Sequence, residues 1–247
     1  MKVSIITATF NSATTIADTL KSIASQDHGD IEHLVVDGCS TDDTLAVVAA
    51  FPGLRRVISE PDAGIYDAMN KGIGLAGGEI IGILNSDDVY EDEQVIRDVV
   101  QAFEADETLD MLYGDLVYVK TDDLNRIVRR WTSAPYTRRF FERGHVPPHP
   151  TLFVRRRVYE QAGRFDLQYR LAADYEFMLR AFKKHHFKIL HLPRLMVRMR
   201  LGGATNVSFS NIAKGNREII QAWKNNGFKV PLLLMPLRVL KRIRQFF

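Results

Sequence analysis

Ile80-Ile81-Gly82-Ile83-Leu84-Asn85-Ser86-Asp87-Asp88 sets an apolar run, preceded by Gly77-Gly78, directly before a polar turn with two adjacent acids. A run this apolar, bounded by turn residues, is the pattern of a central strand covered on both faces. Open α/β sheets bind ligands outside the carboxyl ends of such strands, which is where Asp87 and Asp88 fall. Two carboxylates there can hold a hard cation, Mg²⁺ or Mn²⁺, which is bound by one or two carboxylates plus substrate phosphate oxygens. The same tetrapeptide can instead cap a helix beginning near Glu91, with Ser86 or Asp87 as the cap, and alone it leaves both readings open.

The preceding sequence repeats one plan. Val3 to Thr9 reads as a strand, followed by a helical pattern in Ile16, Leu20 and Ile23. His33 to Asp37 is a second strand, and Ser40 with Asp43 forms a capping box for a helix through Leu45, Val47 and Val48. Arg56 to Glu60 is a shorter third strand, and Gly64 to Leu75 a third helix with Ile65, Ala68, Met69 and Gly72 on one face. Strand then helix, three times before the acidic turn, predicts a doubly wound nucleotide-binding layer.

Four ordered segments carry a resemblance. Thr7-Ala8-Thr9-Phe10-Asn11, Val36-Asp37-Gly38-Cys39-Ser40-Thr41-Asp42-Asp43-Thr44, Gly64-Ile65-Tyr66-Asp67-Ala68-Met69-Asn70-Lys71-Gly72 and Leu84-Asn85-Ser86-Asp87-Asp88 resemble the successive signatures of family 2 glycosyltransferases. The resemblance covers about residues 1 to 205. It implies a GT-A fold: an α/β architecture with a Rossmann-like, mostly parallel central sheet and flanking helices. It also implies an inverting, hexosyltransferase-like enzyme that uses a nucleotide-diphosphate sugar donor. The donor contacts it implies fall on Thr7, Thr9, Asn11, Asp37, Asp62, Tyr66, Asn70, Lys71 and Asn85. Asp37 takes the place of the acid that meets the base or ribose. The metal ligand falls on Asp87, with help from Asp88, because Asn85 stands where a first acid is usual.

Inverting transfer needs a base for the acceptor hydroxyl, on the face opposite the leaving diphosphate. Arg170-Leu171-Ala172-Ala173-Asp174-Tyr175-Glu176 resembles the family's Glu-Asp pair, with Ala173 in the place of the Glu, and this puts the base at Asp174. By position alone Asp174 can equally be a helix N-cap, with Glu176 facing solvent on the first turn. Pro147, Pro148 and Pro150 stiffen the turn that presents His149, a candidate phosphate or acceptor contact. Arg198 to Thr205 resembles the segment that closes over the diphosphate in this family. In it Arg200 supplies positive charge and Gly202-Gly203 conformational freedom.

Composition sets the remaining expectations. At 247 residues with 46% hydrophobic content the chain can bury a full core. Cys39 is its single cysteine, so no intramolecular disulfide is expected, and no leader-like segment is expected before Val3. Six basic residues and no acid follow from Lys224, so the net charge of +3 leaves −3 for residues 1 to 223. Val230 to Phe247 is too short and too charged to span a bilayer. It suits a basic amphipathic helix lying on an anionic membrane surface, or a terminal helix packed on the rest. Nine arginines against the lone acid Glu142 lie between Arg126 and Arg157, a region suited to a lipid-linked acceptor's diphosphate. No recognition module for nucleic acid accompanies it.

The expected organisation is a catalytic domain over 1–205, divided at 110 into a nucleotide-sugar half and an acceptor half. A helical membrane-associating extension follows over 206–247. The expected protein works in the cytoplasm, peripherally on the inner face of the cell membrane. It glycosylates a saccharide or polyprenyl-linked acceptor in surface polysaccharide or glycolipid synthesis. A catalytically inactive membrane-bound nucleotide-sugar binder is the alternative.

Overall fold

The computed structural model describes residues 1–53, 56–202 and 209–246. Strand β1 (Val3–Thr9) leads to helix α1 (Ile16–Ala24), β2 (Ile31–Asp37) to α2 (Thr44–Ala50), and β3 (Arg56–Ser59) to α3 (Ile65–Leu75). Strand β4 (Ile80–Ile83) then runs into the acidic turn. These four strands are parallel in the order β3-β2-β1-β4. Every β1 residue is buried, since alternate side chains serve opposite layers. Ile6 and Ala8 meet Ala68, Met69 and Ile73 of α3, while Val3 and Ile5 belong to the core that includes Val95, Ile96 and Val99.

The expected helix near Glu91 is replaced by a strand. Asp88–Tyr90 forms β5, antiparallel to β9 (Lys188–Arg200), and α4 (Val95–Ala105) starts only after that pairing ends. The ladder to β9 takes the backbone groups that a helix would use, so neither Ser86 nor Asp87 is a cap. The capping box is also absent. α2 begins after Asp43 without a side-chain cap, because the Ser40 hydroxyl donates to Asp37 instead.

Beyond α4 the sheet becomes mixed. It contains β6 (Leu109–Val119), β7 (Ile127–Trp131) and β8 (Phe153–Arg155), and is followed by α5 (Arg156–Ala162) and α6 (Ala173–Lys184). β8 joins β4 antiparallel, β6 joins β8, and β9 runs parallel to β6 along nearly its whole length. Among the described residues one curled sheet results, β3-β2-β1-β4-β8-β6-β9-β5, with β7 on β6. Its curl brings β5, which continues the turn after β4, back against β9.

Helices α7 (Phe209–Asn225) and α8 (Leu234–Ile243) share their core with the preceding half. Trp223 is 1% exposed and its Nε1 donates to Tyr175 Oη at 2.9 Å, while Glu218 accepts the amides of Leu171 and Ala172 just before α6. Burying side chains of this size contributes about 1.5–3 kcal/mol each, so α7 is held as firmly as the central helices. The 205/206 boundary expected from sequence lies outside the described residues. No described helix is long and apolar enough to cross a membrane.

Candidate active site

Register places the ends of the parallel strands side by side, Thr9 opposite Asp37 and Asp37 opposite Ser59. Asp37 is fully buried. Its carboxylate accepts from Ser40 Oγ at 2.5 Å, Ser40 N at 3.0 Å and Ser59 Oγ at 2.6 Å. Asn11, in a left-handed conformation at φ 49°, ties the first turn to the second: Thr41 N donates to its Oδ1 and its own N–H donates to Ser40 Oγ. Asp62 lies so close over Gly38 that a Cβ there would stand 2.4 Å from its Oδ2. Asn11, Asp37 and Asp62 therefore line one mouth.

Three residues of the family-like signatures are engaged elsewhere. Thr7 is buried within the sheet with its hydroxyl bonded to His33 Nε2 at 3.0 Å, one turn of the pleat below the mouth. Asn70 uses both ends of its amide on Phe165, accepting its N–H at 3.0 Å and donating to its carbonyl at 2.8 Å. Lys71 donates to the Pro61 carbonyl at 2.6 Å and pairs with Glu60 at 3.0 Å. Asn70 and Lys71 hold α3 against its neighbouring loops.

The acidic turn is braced from behind. Arg200 is 5% exposed; its Nη1 donates to the Asp87 carbonyl at 2.8 Å, its Nε to the Thr121 carbonyl at 3.2 Å, and its Nη2 pairs with Asp18. With every guanidinium nitrogen engaged, Arg200 sets the position of the turn. Gly203 to Thr205 lie outside the described residues. Thr19 Oγ1 donates to the Asp88 carbonyl at 2.7 Å, and the Ser12 and Ser86 hydroxyls meet at 2.8 Å.

Burial raises the Asp87 carboxyl above the usual range, and burial followed by the charge of Asp87 raises Asp88 further. Thr9 Oγ1, Asn85 Oδ1 and Asp88 Oδ1 are buried oxygens without hydrogen-bond partners. Among the described residues no three His, Cys, Asp or Glu side chains gather to hold a metal. Two acids and orphaned oxygen donors nonetheless fit a hard cation that takes its remaining ligands from a substrate.

Asp174 stands in the first turn of α6, part-exposed among buried neighbours. Tyr66 of α3 donates to its Oδ1 at 3.0 Å, and the Tyr175 amide donates to the same oxygen at 2.8 Å. Among the described residues Oδ2 has no hydrogen-bond partner. Burial, then the charge of Asp174, pushes the Tyr66 phenol well above its usual pKa, so it acts as a donor only. Burial lowers the half-buried His149, with Asp174 opposing, and its ring meets the Phe165 ring edge-on at 5.5 Å. Ala172 is the N-cap, so Asp174 is not. Glu176 does not face solvent: it is 3% exposed, pairs with Arg180 at 2.8 Å and accepts from Asn226 at 3.0 Å.

The basic region divides. Arg155 donates to the Leu109 and Phe103 carbonyls, Arg156 to that of Gly78, and Arg157 pairs with Asp110, so these three brace the back of the sheet. Arg129 is 3.7 Å above the Tyr118 ring, and Arg238 of α8 is 4.8 Å above the Tyr175 ring. Sequence reasoning missed Arg238. Its signal was the spacing Leu234, Arg238, Arg242, which shares one helical face.

A family profile described as Glycosyl transferase family 2 matches residues 4–163. The chain is 38% identical over 186 residues to the PGL/p-HBAD biosynthesis glycosyltransferase of Mycobacterium bovis, covering 72% of this chain and 69% of that one. It is 31% identical over 192 residues to the succinoglycan biosynthesis protein ExoO of Rhizobium meliloti, covering 70% and 53%. Among solved structures it is similar to S. aureus TarS (TM-score 0.72, 21% identity, 99% and 72% coverage), which has also been solved with UDP and with UDP-GlcNAc. It is likewise similar to the mannosyltransferase PcManGT of Pyrobaculum calidifontis, solved with GDP-Man and Mn²⁺ (TM-score 0.63, 20% identity, 97% and 73% coverage).

Proposed function

This chain belongs to glycosyl transferase family 2 and is a glycosyltransferase. From that premise we propose that it transfers a sugar, with inversion, from a nucleotide-diphosphate sugar to a hydroxyl of a saccharide or polyprenyl-linked acceptor. The structural neighbours that bind UDP, UDP-GlcNAc and GDP-Man support such a donor, and the succinoglycan relative supports a role in polysaccharide synthesis. The observation that carries the reading is the Tyr66 to Asp174 hydrogen bond. It joins α3 of the nucleotide half to α6 and fixes one oxygen of the Asp174 carboxylate.

In this reading Asp37, Asn11 and Asp62 frame the base and ribose. Asp87 and Asp88, beside Asn85 and Thr9, would hold Mn²⁺ or Mg²⁺, whose charge would stabilise the diphosphate. Tyr66 holds Asp174 Oδ1, so Oδ2 takes the acceptor proton, and His149 lines the approach. The protein works at the cytoplasmic face of the membrane, attached through α8. The outward side chains Leu232, Leu233, Val239, Leu240, Ile243 and Phe246 are exposed among basic residues.

The test separates chemistry from binding. Asp174→Asn keeps shape but not basicity, so donor affinity should hold while turnover falls by about 10² to 10⁴. Glu176→Gln should do the opposite, lowering thermal stability because it removes one charge of a buried pair while leaving turnover per folded molecule intact. Equal turnover by Asp174→Asn and wild type would remove the base. Donor binding by wild type without transfer to any acceptor would favour the inactive binding module.

A further inference from the structure

The inner face of α8 packs on the loop at Gly144 and on Tyr175, and its chemistry is not used by the reading above. Gly144 has φ +75°, and a Cβ on it would lie 2.8 Å from both Arg238 N and Leu237 C, so the loop and the helix backbone are in direct contact. Leu234 enters the core at 1% exposed. These contacts fix Arg238 over Tyr175, the neighbour of Asp174, with Arg242 one turn further along the same face.

Arg129 completes the group from β7. It is 5% exposed, its guanidinium lies over Tyr118, and its Nε is buried with no hydrogen-bond partner. Among the described residues no carboxylate lies within 4 Å of Arg129 or Arg238; aromatic rings cover them without neutralising them. Burial lowers both guanidinium pKa values; Tyr118 beside Arg129 and Tyr175 beside Arg238 oppose this, and the charge of Arg242 adds to it. Tyr118 lies within the field of both Asp88 and Arg242, and Arg238 within that of Asp174, so the cations run between the acidic turn and the base.

We propose that Arg238 and Arg242 of α8, with Arg129 of β7, form a phosphate-binding wall between the acidic turn and Asp174. Three guanidinium groups, with Arg242 in the field of the other two, match a phosphate or diphosphate, whose oxygens accept the paired N–H groups of each fork. The orphaned Arg129 Nε then has an acceptor. The phosphate can come from the donor's diphosphate or from a phosphate on the acceptor. Its role in transfer rests on the glycosyl-transfer reading; its binding does not.

The experiment therefore measures binding without turnover, on the full chain, by titration calorimetry. In one arm UDP or GDP, whichever gives the larger thermal shift, is titrated with Mn²⁺ into wild type, Arg238→Gln and Arg242→Gln. In the other, hexyl diphosphate is titrated into the same proteins already saturated with that nucleotide. A loss of about tenfold or more in the first arm supports the wall and assigns it to the donor. The same loss in the second arm alone supports it and assigns it to the acceptor. Arg242→Gln alters an exposed side chain and serves if Arg238→Gln is poorly folded. Unchanged affinity in both arms for folded variants overturns the proposal. Absence of transfer by wild type, with these affinities intact, would fail the glycosyl-transfer reading alone.

Discussion

Asp88 is a carboxylate sealed into β5 with one oxygen that no donor reaches. Because its folded pKa is raised, the native state keeps the proton to higher pH than the unfolded chain does. Stability is therefore lost as pH rises from about 4, the unfolded value, through the higher folded value. Asp88→Asn removes that penalty. In chelator, its melting temperature should match wild type near pH 4 and exceed it at pH 8, by about 2–4 °C for each kcal/mol recovered. The stabilisation that Mn²⁺ with nucleoside diphosphate gives wild type should be lost in the same variant. An Asp88→Asn protein less stable than wild type at pH 8 without metal would show that the ionised side chain is not the strained one.

Side-chain partnership is where the sequence was least informative. The signature Gly64 to Gly72 identifies α3, its buried face and its family, yet Tyr66 and Asn70 bind partners far along the chain, and Lys71 turns back to the Pro61 carbonyl. Periodicity fixes which side of a helix is covered, not what covers it. Thr7 and Thr9 share a face of β1, and only the register of β2 puts His33 beside the first.

The seat of α8 depends on a bare backbone. A Cβ at Gly144 would collide with Leu237 and Arg238, and the positive φ strains any other residue by about 1–3 kcal/mol. Gly144→Ala should therefore undock α8, lowering the melting temperature and opening Arg238, Lys241 and Arg242 to trypsin. Tryptic resistance equal to wild type would mean that α8 is held without this contact. Amphipathicity marked the helix in advance, and only its docking shows that Leu234 enters the core. Strand β5 was hidden for a related reason: three residues carry no period, and β9 supplies the reason they are extended.

The molecule as a whole presents α8 between its site and its surroundings. Leu232 is 99% exposed and Ile243 51%, on the face turned away from Leu234. Apolar contact plus about 1 kcal/mol per cation should bind the protein reversibly to vesicles containing phosphatidylglycerol, and salt should weaken this by screening. Leu240→Gln with Ile243→Gln should lower vesicle partition while leaving nucleotide affinity and melting temperature unchanged. Partition equal to wild type would remove the lipid face. Deleting Val230 to Phe247 is a poorer test, since Leu234 would leave the core with it.

The parallel pairing of β6 with β9 bears on how the chain reaches this state. About seventy residues separate these strands, against about twenty between β1 and β2. Closing the longer loop costs about 1 kcal/mol more in chain entropy, and it also encloses α5 and α6, which have no finished sheet to rest on until it closes. Strands β1, β2 and β3 pair with neighbours in sequence, while β4, β8 and β9 each join a strand about seventy residues away. Folding should thereby be ordered, with the β1-β2-β3 layer formed before the half that carries Asp174, whose helix has no sheet to rest on until these distant pairings close.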